Sequence, residues 1–204
     1  MKKLKKMIWI FILGLFLGSC SFLQKQNVQS NENLKIKEIN PPKIHLVSFM
    51  VPEYDGFWYY SKKIKPTKGE PGDRGAPLPM NFVFEIANPN PFPIQLNGFR
   101  FTVSVEGFDL ITVNDNNLYW IPAKRIDHIS ITTMITVRSA LLNLLVTGGF
   151  KLKKMGRTPW QALERWWEKL PLLEIPVIVK DGRANFEAFG LKKVATFSDF
   201  YPKE

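Results

Sequence analysis

Apolar and polar residues alternate along several stretches of the middle and end of the chain. The alternation runs from Met80 to Ile86, from Phe99 to Val105, from Ile129 to Val137 and from Leu173 to Val179. A period of two is typical of a strand that packs one face against a core while the other faces water. The third stretch is also rich in β-branched residues, which favour strands. We therefore predict a strand at each of these four positions.

Shorter apolar stretches and turn residues add further strands. Lys43 to Val51 has the composition of a strand buried on both sides in places, and Phe108 to Val113 follows Gly107 as a return strand. Asp181-Gly182 is the sequence of a tight hairpin turn, so Ala184 to Phe189 is predicted to return as another strand. About seven short strands separated by turns indicate an all-β protein, an antiparallel β-sandwich with two short helices.

Two segments show helical rather than strand spacing. Arg138 to Val146 is a short apolar helix that we expect to end at Gly148-Gly149. The second helix begins with Thr158-Pro159-Trp160-Gln161, which has a capping Thr, Pro at the first helical position and Gln three residues after the cap. Its apolar side chains then recur at helical spacing up to Pro171: Trp160, Leu163, Trp166, Trp167 and Leu170.

The N-terminus has the composition of an export signal. Lysines at positions 2, 3, 5 and 6 precede an apolar stretch from Met7 to Leu17, and Leu17-Gly18-Ser19-Cys20 follows. This order of charged, apolar and small residues marks a secretory signal peptide, and the apolar stretch is too short for a permanent membrane span. We therefore predict a signal peptide at residues 1–20.

Cys20 is the only cysteine of the chain, and its setting resembles the lipobox of bacterial lipoproteins. The resemblance implies that fatty acyl chains such as palmitate are attached to Cys20 and hold the protein on the membrane of a bacterial cell envelope, as two or more chains do stably. The alternative is an unmodified thiol, a reactive hazard in an exported protein. Ser21, rather than Asp, follows the cysteine. By Gram-negative sorting rules this indicates the outer membrane, at its periplasmic face or the cell surface, if the host has one.

After the signal peptide, the composition divides the chain into a tether and one domain. Residues 21–40 are polar and contain few large apolar side chains, so we expect a flexible tether. Residues 41–204 are long enough for one β-sandwich domain, and 45% of the whole chain is hydrophobic, with 16 Phe. Two insertions are predicted within the domain: a Pro- and Gly-rich loop near 65–79 and a helical insertion near 150–171.

The net charge is positive but moderate. The chain carries 28 Lys and Arg against 18 Asp and Glu, spread along the sequence. A nucleic-acid-binding protein requires a concentrated basic stripe and a recognition motif, and the sequence contains neither. Export also removes the chain from nucleic acid, so we expect no nucleic-acid partner.

The segment Asn88-Pro89-Asn90-Pro91-Phe92-Pro93-Ile94 lies between the two clearest strands. Its three prolines exclude a helix, and each removes a backbone hydrogen-bond donor. The side chains of Asn88 and Asn90 can bond nearby backbone groups and so replace the lost ladder bonds. We therefore predict a rigid kink that passes the chain from one strand to the next.

The surroundings of this kink resemble the type 2 late-embryogenesis-abundant family, also called the water-stress and hypersensitive-response domain. The resemblance rests on the strand from Asn81 to Asn90, the Phe92-Pro93-Ile94 step, the strand from Phe99 to Gly107, and Ile121-Pro122-Ala123 before the next strand. It implies a folded, fibronectin-III-like sandwich of the immunoglobulin type. It also implies a role in tolerance of desiccation and other stress, without catalytic residues. Asn88 to Pro93 carry over as structural residues only.

Residues suited to chemistry are few. His45 lies within a predicted strand and His128 directly before one, with no cysteine partner and no Gly-x-Ser-x-Gly nucleophile turn. Metal-ligand clusters, the calcium-binding EF-hand spacing and phosphate-binding glycine loops are also missing from the sequence. We therefore predict that the protein is not an enzyme, with no catalytic residue, no metal and no cofactor.

The segment from Phe150 to Leu170 is a candidate membrane or partner surface. Basic residues beside tryptophans suit the headgroup zone of a membrane. The residues concerned are Lys151, Lys153, Lys154, Arg157, Trp160, Trp166 and Trp167. In the alternative, the tryptophans cap one end of the sandwich and the lysines are merely solvated. The shortness of the helix favours this alternative, because a helix of about 12 residues normally requires packing.

These observations together predict a non-enzymatic, lipid-anchored envelope protein. Its expected work is protection under stress or binding of envelope proteins. The competing function is a lipid-binding or envelope-assembly module that uses an apolar sandwich interior or the Trp-rich helix. An apolar groove open between the sheets favours lipid binding, whereas a filled core favours protection or scaffolding.

Overall fold

The structure is a computed structural model that describes residues 38–53, 56–57 and 77–203. The described residues from Glu38 onward belong to one compact unit. The predicted signal peptide, Cys20, most of the predicted tether and the greater part of the 65–79 loop lie outside the described residues. The unit that begins at Glu38 contains its own hydrophobic core, which is the property of a domain that folds independently.

Among the described residues, eight strands form two antiparallel sheets, as the sequence predicts. They are β1 (Lys43–Met50), β2 (Leu78–Ala87), β3 (Ile94–Val105), β4 (Phe108–Asp115), β5 (Tyr119–Ile121), β6 (Ile126–Ile135), β7 (Val177–Ala188) and β8 (Leu191–Tyr201). One sheet has the order β1-β2-β6. The other has the order β4-β3-β7-β8, with β5 also paired to β3. The two sheets pack face to face, so the predicted all-β sandwich is confirmed.

Aromatic rings fill the space between the sheets. Phe82 of the first sheet lies 5.2 Å from Phe101 of the second, and Phe84 lies 4.9 Å from Phe99, between ring centroids. Phe197 stacks on Phe99 at 4.8 Å. All five rings are at most 8% exposed. Each such pair contributes about 0.5–1.5 kcal/mol beyond the burial of its area.

The first sheet is joined to the second at one edge by a side chain. Asp199 of β8 accepts a hydrogen bond from the Leu46 backbone N–H of β1 at 2.8 Å. Leu46 lies at a bulge where the pairing of β1 with β2 shifts register. The carboxylate therefore satisfies an edge donor of β1, which limits pairing with another chain at this point.

Two boundaries in the structure differ from those that the sequence predicts. The loop expected near 65–79 ends before Leu78, because Leu78 and Pro79 pair with Ile135 and Met134 as the first residues of β2. The tether expected to reach residue 40 ends by residue 38. Ile39 is 2% exposed and belongs to the core, so it cannot belong to a solvated linker.

The hairpin turn predicted at Asp181-Gly182 is wrong. β7 continues through both residues, and its pairing with β8 shifts register between Val179 and Gly182 as a β-bulge. Asp181 has φ 53°, while Gly182 is buried, and a side chain there would lie 2.6 Å from the Phe197 ring. The hairpin turn lies instead at Phe189-Gly190, with φ 51° and 76°. Ala184 to Phe189 is thus no separate return strand.

The strand predicted from Leu173 starts four residues later, at Val177. Leu173 has φ 57°, a left-handed conformation that a strand residue does not adopt. In the first half of this segment, the apolar alternation therefore comes from residues buried at a turn and not from a strand.

Three helices, rather than two, connect β6 to β7. They are α1 (Val137–Thr147), α2 (Gly149–Lys154) and α3 (Pro159–Lys169), so the helical insertion begins at 137 rather than 150. The capping box of Thr158 and Gln161 is present as predicted. No helix in the described part of the chain is both long and apolar enough to span a membrane.

Candidate functional site

The Asn-Pro-Asn junction is a buried network of hydrogen bonds. Asn88 is 3% exposed and Asn90 is fully buried. The Asn88 amide nitrogen donates to the carbonyl oxygens of Phe92, Ile121 and Pro122 at 3.0, 3.2 and 3.0 Å. Its amide oxygen accepts from the backbone and side-chain N–H groups of Asn90, both at 2.9 Å. The predicted replacement of ladder bonds by asparagine side chains is confirmed.

Asn90 ties the start of the domain to this junction. Its amide oxygen accepts from the Asn40 N–H, and its amide nitrogen donates to the Asn40 carbonyl, both at 2.9 Å. The side chain thus makes the pair of bonds that a neighbouring strand would make. Around this network, Pro89, Pro91 and Pro93 are exposed, and the Phe92 ring contacts Phe189 at 5.5 Å.

A second polar cluster lies at the other end of β3. Glu106 stands in the two-residue turn between β3 and β4, with φ 48°. Its carboxylate accepts two bonds from Arg157 Nη1 at 3.0 and 3.2 Å, one from Arg165 Nε at 3.0 Å, and one from Trp166 Nε1 at 2.9 Å. The Glu106 side chain is 17% exposed. The turn therefore holds α3 and the segment before it against the sandwich.

The charge of Glu106 is stabilised by its donors. Burial alone raises the pKa of the carboxyl, but the hydrogen bonds from Trp166, Arg165 and Arg157 outweigh burial and lower the pKa below the ordinary glutamate value of 4.5. The group is consequently ionised at neutral pH, and its protonation weakens all of these contacts.

The residues of the predicted membrane or partner surface do not lie on one surface. Trp166 and Trp167 are fully buried. Trp166 packs on Phe108 at 5.6 Å, and Trp167 packs on Phe57 at 5.9 Å, between ring centroids. These two tryptophans are core residues, which corrects their assignment to an exposed surface. Trp166 is buried because its indole N–H donates to Glu106 and its ring fills the end of the sandwich.

The other predicted surface residues differ in exposure. Trp160 is partly buried against the core. Arg157 is paired with Glu106 at 3.0 Å, and Lys151 lies over the Phe108 ring at 4.5 Å. Lys153 and Lys154 are exposed. Among the residues of the predicted surface, Lys153 and Lys154 are thus the two whose presence is not accounted for by packing or pairing within the described part of the chain.

Sequence reasoning missed one exposed set of side chains. Leu142, Leu145, Val146 and Phe150, on α1 and α2, are 48%, 58%, 82% and 97% exposed. The available indication was that the apolar residues of α1 occupy more of its circumference than the one apolar face that a helix on a protein surface normally has.

The two histidines lie on the outer face of the first sheet, on either side of Glu85. His45 Nδ1 lies 3.7 Å from Asp199, and His128 Nε2 lies 3.8 Å from Glu85. Both side chains are more than half exposed. Within residues 38–53, 56–57 and 77–203, no group of three or more His, Cys, Asp or Glu side chains could hold a metal ion. The absence of enzymatic activity stays a prediction.

Comparison with known proteins assigns no family. No protein-family model matches the chain, and no curated protein matches it. A solved structure of a protein from Archaeoglobus fulgidus is 9% identical, with a TM-score of 0.36, over 82% of this chain and 98% of its own. The putative ApaA protein from Bordetella pertussis is 8% identical, with a TM-score of 0.38, over 79% of this chain and 94% of its own. Similarity this low carries no argument about function.

We expect Asn90→Ala to destabilise the domain by about 1–3 kcal/mol, because it removes three hydrogen bonds of the fully buried Asn90 side chain, two with the Asn40 backbone and one with the Asn88 amide oxygen. Chemical denaturation at neutral pH measures the change. Asn114→Ala, at an exposed position of β4, is the matched control and should change stability by less than about 0.5 kcal/mol. Equal effects of the two substitutions would contradict the structural role of the junction.

We expect Glu106→Gln to alter the pH dependence of stability. Because the pKa of Glu106 is lower in the folded protein, its contribution is fully present above about pH 4.5 and is lost as the pH falls through the folded value. The difference in unfolding free energy between wild type and variant should therefore shrink on acidification. Denaturation series from pH 7 to pH 2.5 measure it, with Glu168→Gln, an exposed residue of α3, as control. A difference independent of pH would refute the assignment.

Proposed function

We propose that the protein is a non-enzymatic, lipid-anchored protein of the bacterial cell envelope that protects or binds other envelope proteins under stress. The observation that carries the proposal is the buried Asn88–Asn90 junction within a two-sheet sandwich, at the position where the sequence resembles the type 2 late-embryogenesis-abundant family. In this proposal the motif residues maintain the fold, and protection is exerted through the outer surface of the domain.

The filled interior supports protection over lipid handling inside the sandwich. The rings of Phe82, Phe84, Phe99, Phe101 and Phe197 occupy the space between the sheets and are almost inaccessible to solvent. A lipid chain entering there has to displace close-packed aromatic contacts, which is energetically costly. Burial of Trp166 and Trp167 likewise counts against α3 as a lipid-binding helix.

The location follows from the N-terminal sequence. Cys20 ends a basic and apolar segment and is the only residue of the chain able to accept a lipobox acyl chain. The domain described from Glu38 onward then stands off the membrane on the polar residues that follow Cys20.

Replacement of Cys20 tests the anchor. We expect the wild-type protein, expressed in a bacterium supplied with radiolabelled palmitate, to carry the label and to sediment with membranes. Cys20→Ala should lose the label. Ser19→Ala, next to it and compatible with a small-residue cleavage site, serves as control. Label that persists in Cys20→Ala would contradict the proposed attachment site.

Protection of a labile reporter enzyme tests the activity. We expect the chain from Ser21 to Glu204 to preserve the reporter through drying or freeze–thaw clearly better than albumin at equal mass, at near-equimolar ratio. Folded surface contacts are the proposed cause, so the destabilised Asn90→Ala protein should protect less than the wild type when it is added in an unfolded state. Protection no better than albumin would remove protection as an intrinsic activity of the domain.

A further inference from the structure

α1 and α2 follow one another directly, with only Gly148 between them. The Gly148 N–H donates to the Leu144 carbonyl at 2.9 Å, and the Leu152 N–H donates to the Gly148 carbonyl at 2.9 Å. Gly148 therefore ends α1 and begins α2, with φ −111°. One face of this helix pair is buried in the core: Val137, Ala140, Leu141, Leu144 and Leu152.

The opposite face is apolar as well. Leu145 and Val146 follow Leu142 by three and four residues, Phe150 follows Val146 by four, and the exposure of these side chains rises from 48% to 97% in this order. We call these four residues the apolar ridge. Single exposed apolar residues are ordinary, whereas a contiguous set marks a surface that another apolar phase covers.

Cations stand at both ends of the apolar ridge. Arg138 precedes Leu142 by one turn, and Lys153 and Lys154 follow Phe150 by three and four residues. These three side chains make no ion pair within the residues that the structure describes. In the sequence, no acidic residue occurs between Asp127 and Glu164. The cations at the ends of the ridge therefore have no acidic neighbour within this stretch of the chain.

This charge distribution selects among possible occupants. A second copy of the chain, docked through the same ridge about a two-fold axis, brings Arg138, Lys153 and Lys154 close to the cations of the other copy, and like charges repel. A lipid surface with negative headgroups attracts the cations and accepts leucine and phenylalanine side chains at the boundary of the acyl region. A membrane can also accept these apolar side chains without pockets shaped to fit them. The ridge itself presents few polar groups that could make it specific for one protein partner.

We propose that the apolar ridge, with Arg138, Lys153 and Lys154, is a docking surface for membranes that contain anionic phospholipid. The ridge replaces the buried tryptophans as the membrane-facing part of the helical segment. This inference does not depend on protection of other proteins, since the surface acts on lipid alone.

The proposed anchor is compatible with this orientation. The start of the domain, at Asn40, lies at the Asn88–Asn90 end of the sandwich, whereas α1 follows the opposite end of β6. Residues 21–37 span at most about 56–61 Å when fully extended, and a 12-residue strand such as β3 spans about 40 Å. The tether is therefore long enough for the far end of the domain to reach the bilayer that holds Cys20.

Co-sedimentation with vesicles tests the surface. The chain from Ser21 to Glu204 is used without acylation, because the core is complete from Glu38 onward. We expect it to bind vesicles of phosphatidylcholine and phosphatidylglycerol at a 3:1 ratio, and to bind pure phosphatidylcholine at least about tenfold more weakly. Binding should also fall between 50 mM and 500 mM salt, since salt screens the attraction.

Two double variants separate the apolar and the charged parts of the surface. Leu145→Gln with Phe150→Gln, and Lys153→Gln with Lys154→Gln, should each weaken binding to the anionic vesicles about tenfold or more. Their matched controls are Leu118→Gln with Val194→Gln, and Lys192→Gln with Lys193→Gln, on strands or loops away from α1 and α2. The controls should bind as the wild type does. Thermal denaturation should show that all four proteins remain folded, because the altered side chains lie on the outside of the domain.

Three outcomes would overturn the proposal. The first is absence of binding to anionic vesicles at low salt. The second is equal weakening by the test variants and their controls, which would indicate attraction by net charge alone. The third is concentration-dependent dimerisation that Leu145→Gln with Phe150→Gln abolishes, with no vesicle binding, which would assign the ridge to a second copy of the chain. A failed protection assay leaves this experiment unaffected, because vesicle binding is measured without any client enzyme.

Discussion

The structure depends on the burial of one face of each sheet against the other. The alternating phenylalanines of β2 and β3 leave water only when the two sheets stack. Ring contacts at about 5 Å between Phe82, Phe84, Phe99 and Phe101 result from this stacking. Because the chain has a single cysteine, no internal disulfide supplements this core. Hydrophobic burial therefore carries the fold.

A sandwich filled in this way is open at its two ends, and the protein closes each end differently. At the start of β3, Asn88 and Asn90 close the end by satisfying backbone groups of three chain segments that prolines prevent from pairing. At the end of β3, the Trp166 ring covers apolar contacts while Glu106 binds its indole N–H and two arginines. Both solutions bury polar groups, and both do so with the hydrogen bonds that such groups require.

The closure by α3 explains why the apolar ridge is exposed. α3 packs Trp166 and Trp167 inward, and α1 packs Val137, Leu141 and Leu144 inward as well. These contacts occupy the apolar side of both helical segments and leave Leu145 and Phe150 facing away from the domain. The side chains of Lys153 and Lys154 remain beside them. The tryptophans thus stabilise the domain, whereas the apolar ridge on its outside is available for contact.

The sequence by itself determined the features that depend on neighbouring residues. The period of two in β2 and β3, the capping box of Thr158 and the hydrogen-bonding capacity of Asn88 and Asn90 are local properties, and the structure contains each of them. Only the tertiary structure decided features in which distant segments compete for the same position. Asp181-Gly182 is a bulge because the Phe197 ring of β8 packs directly on Gly182, which no local pattern encodes. Trp166 is a core residue because Glu106, sixty residues away, accepts its indole N–H. Helical spacing identifies an apolar face, but which of two apolar faces meets the core depends on what the rest of the fold places beside it.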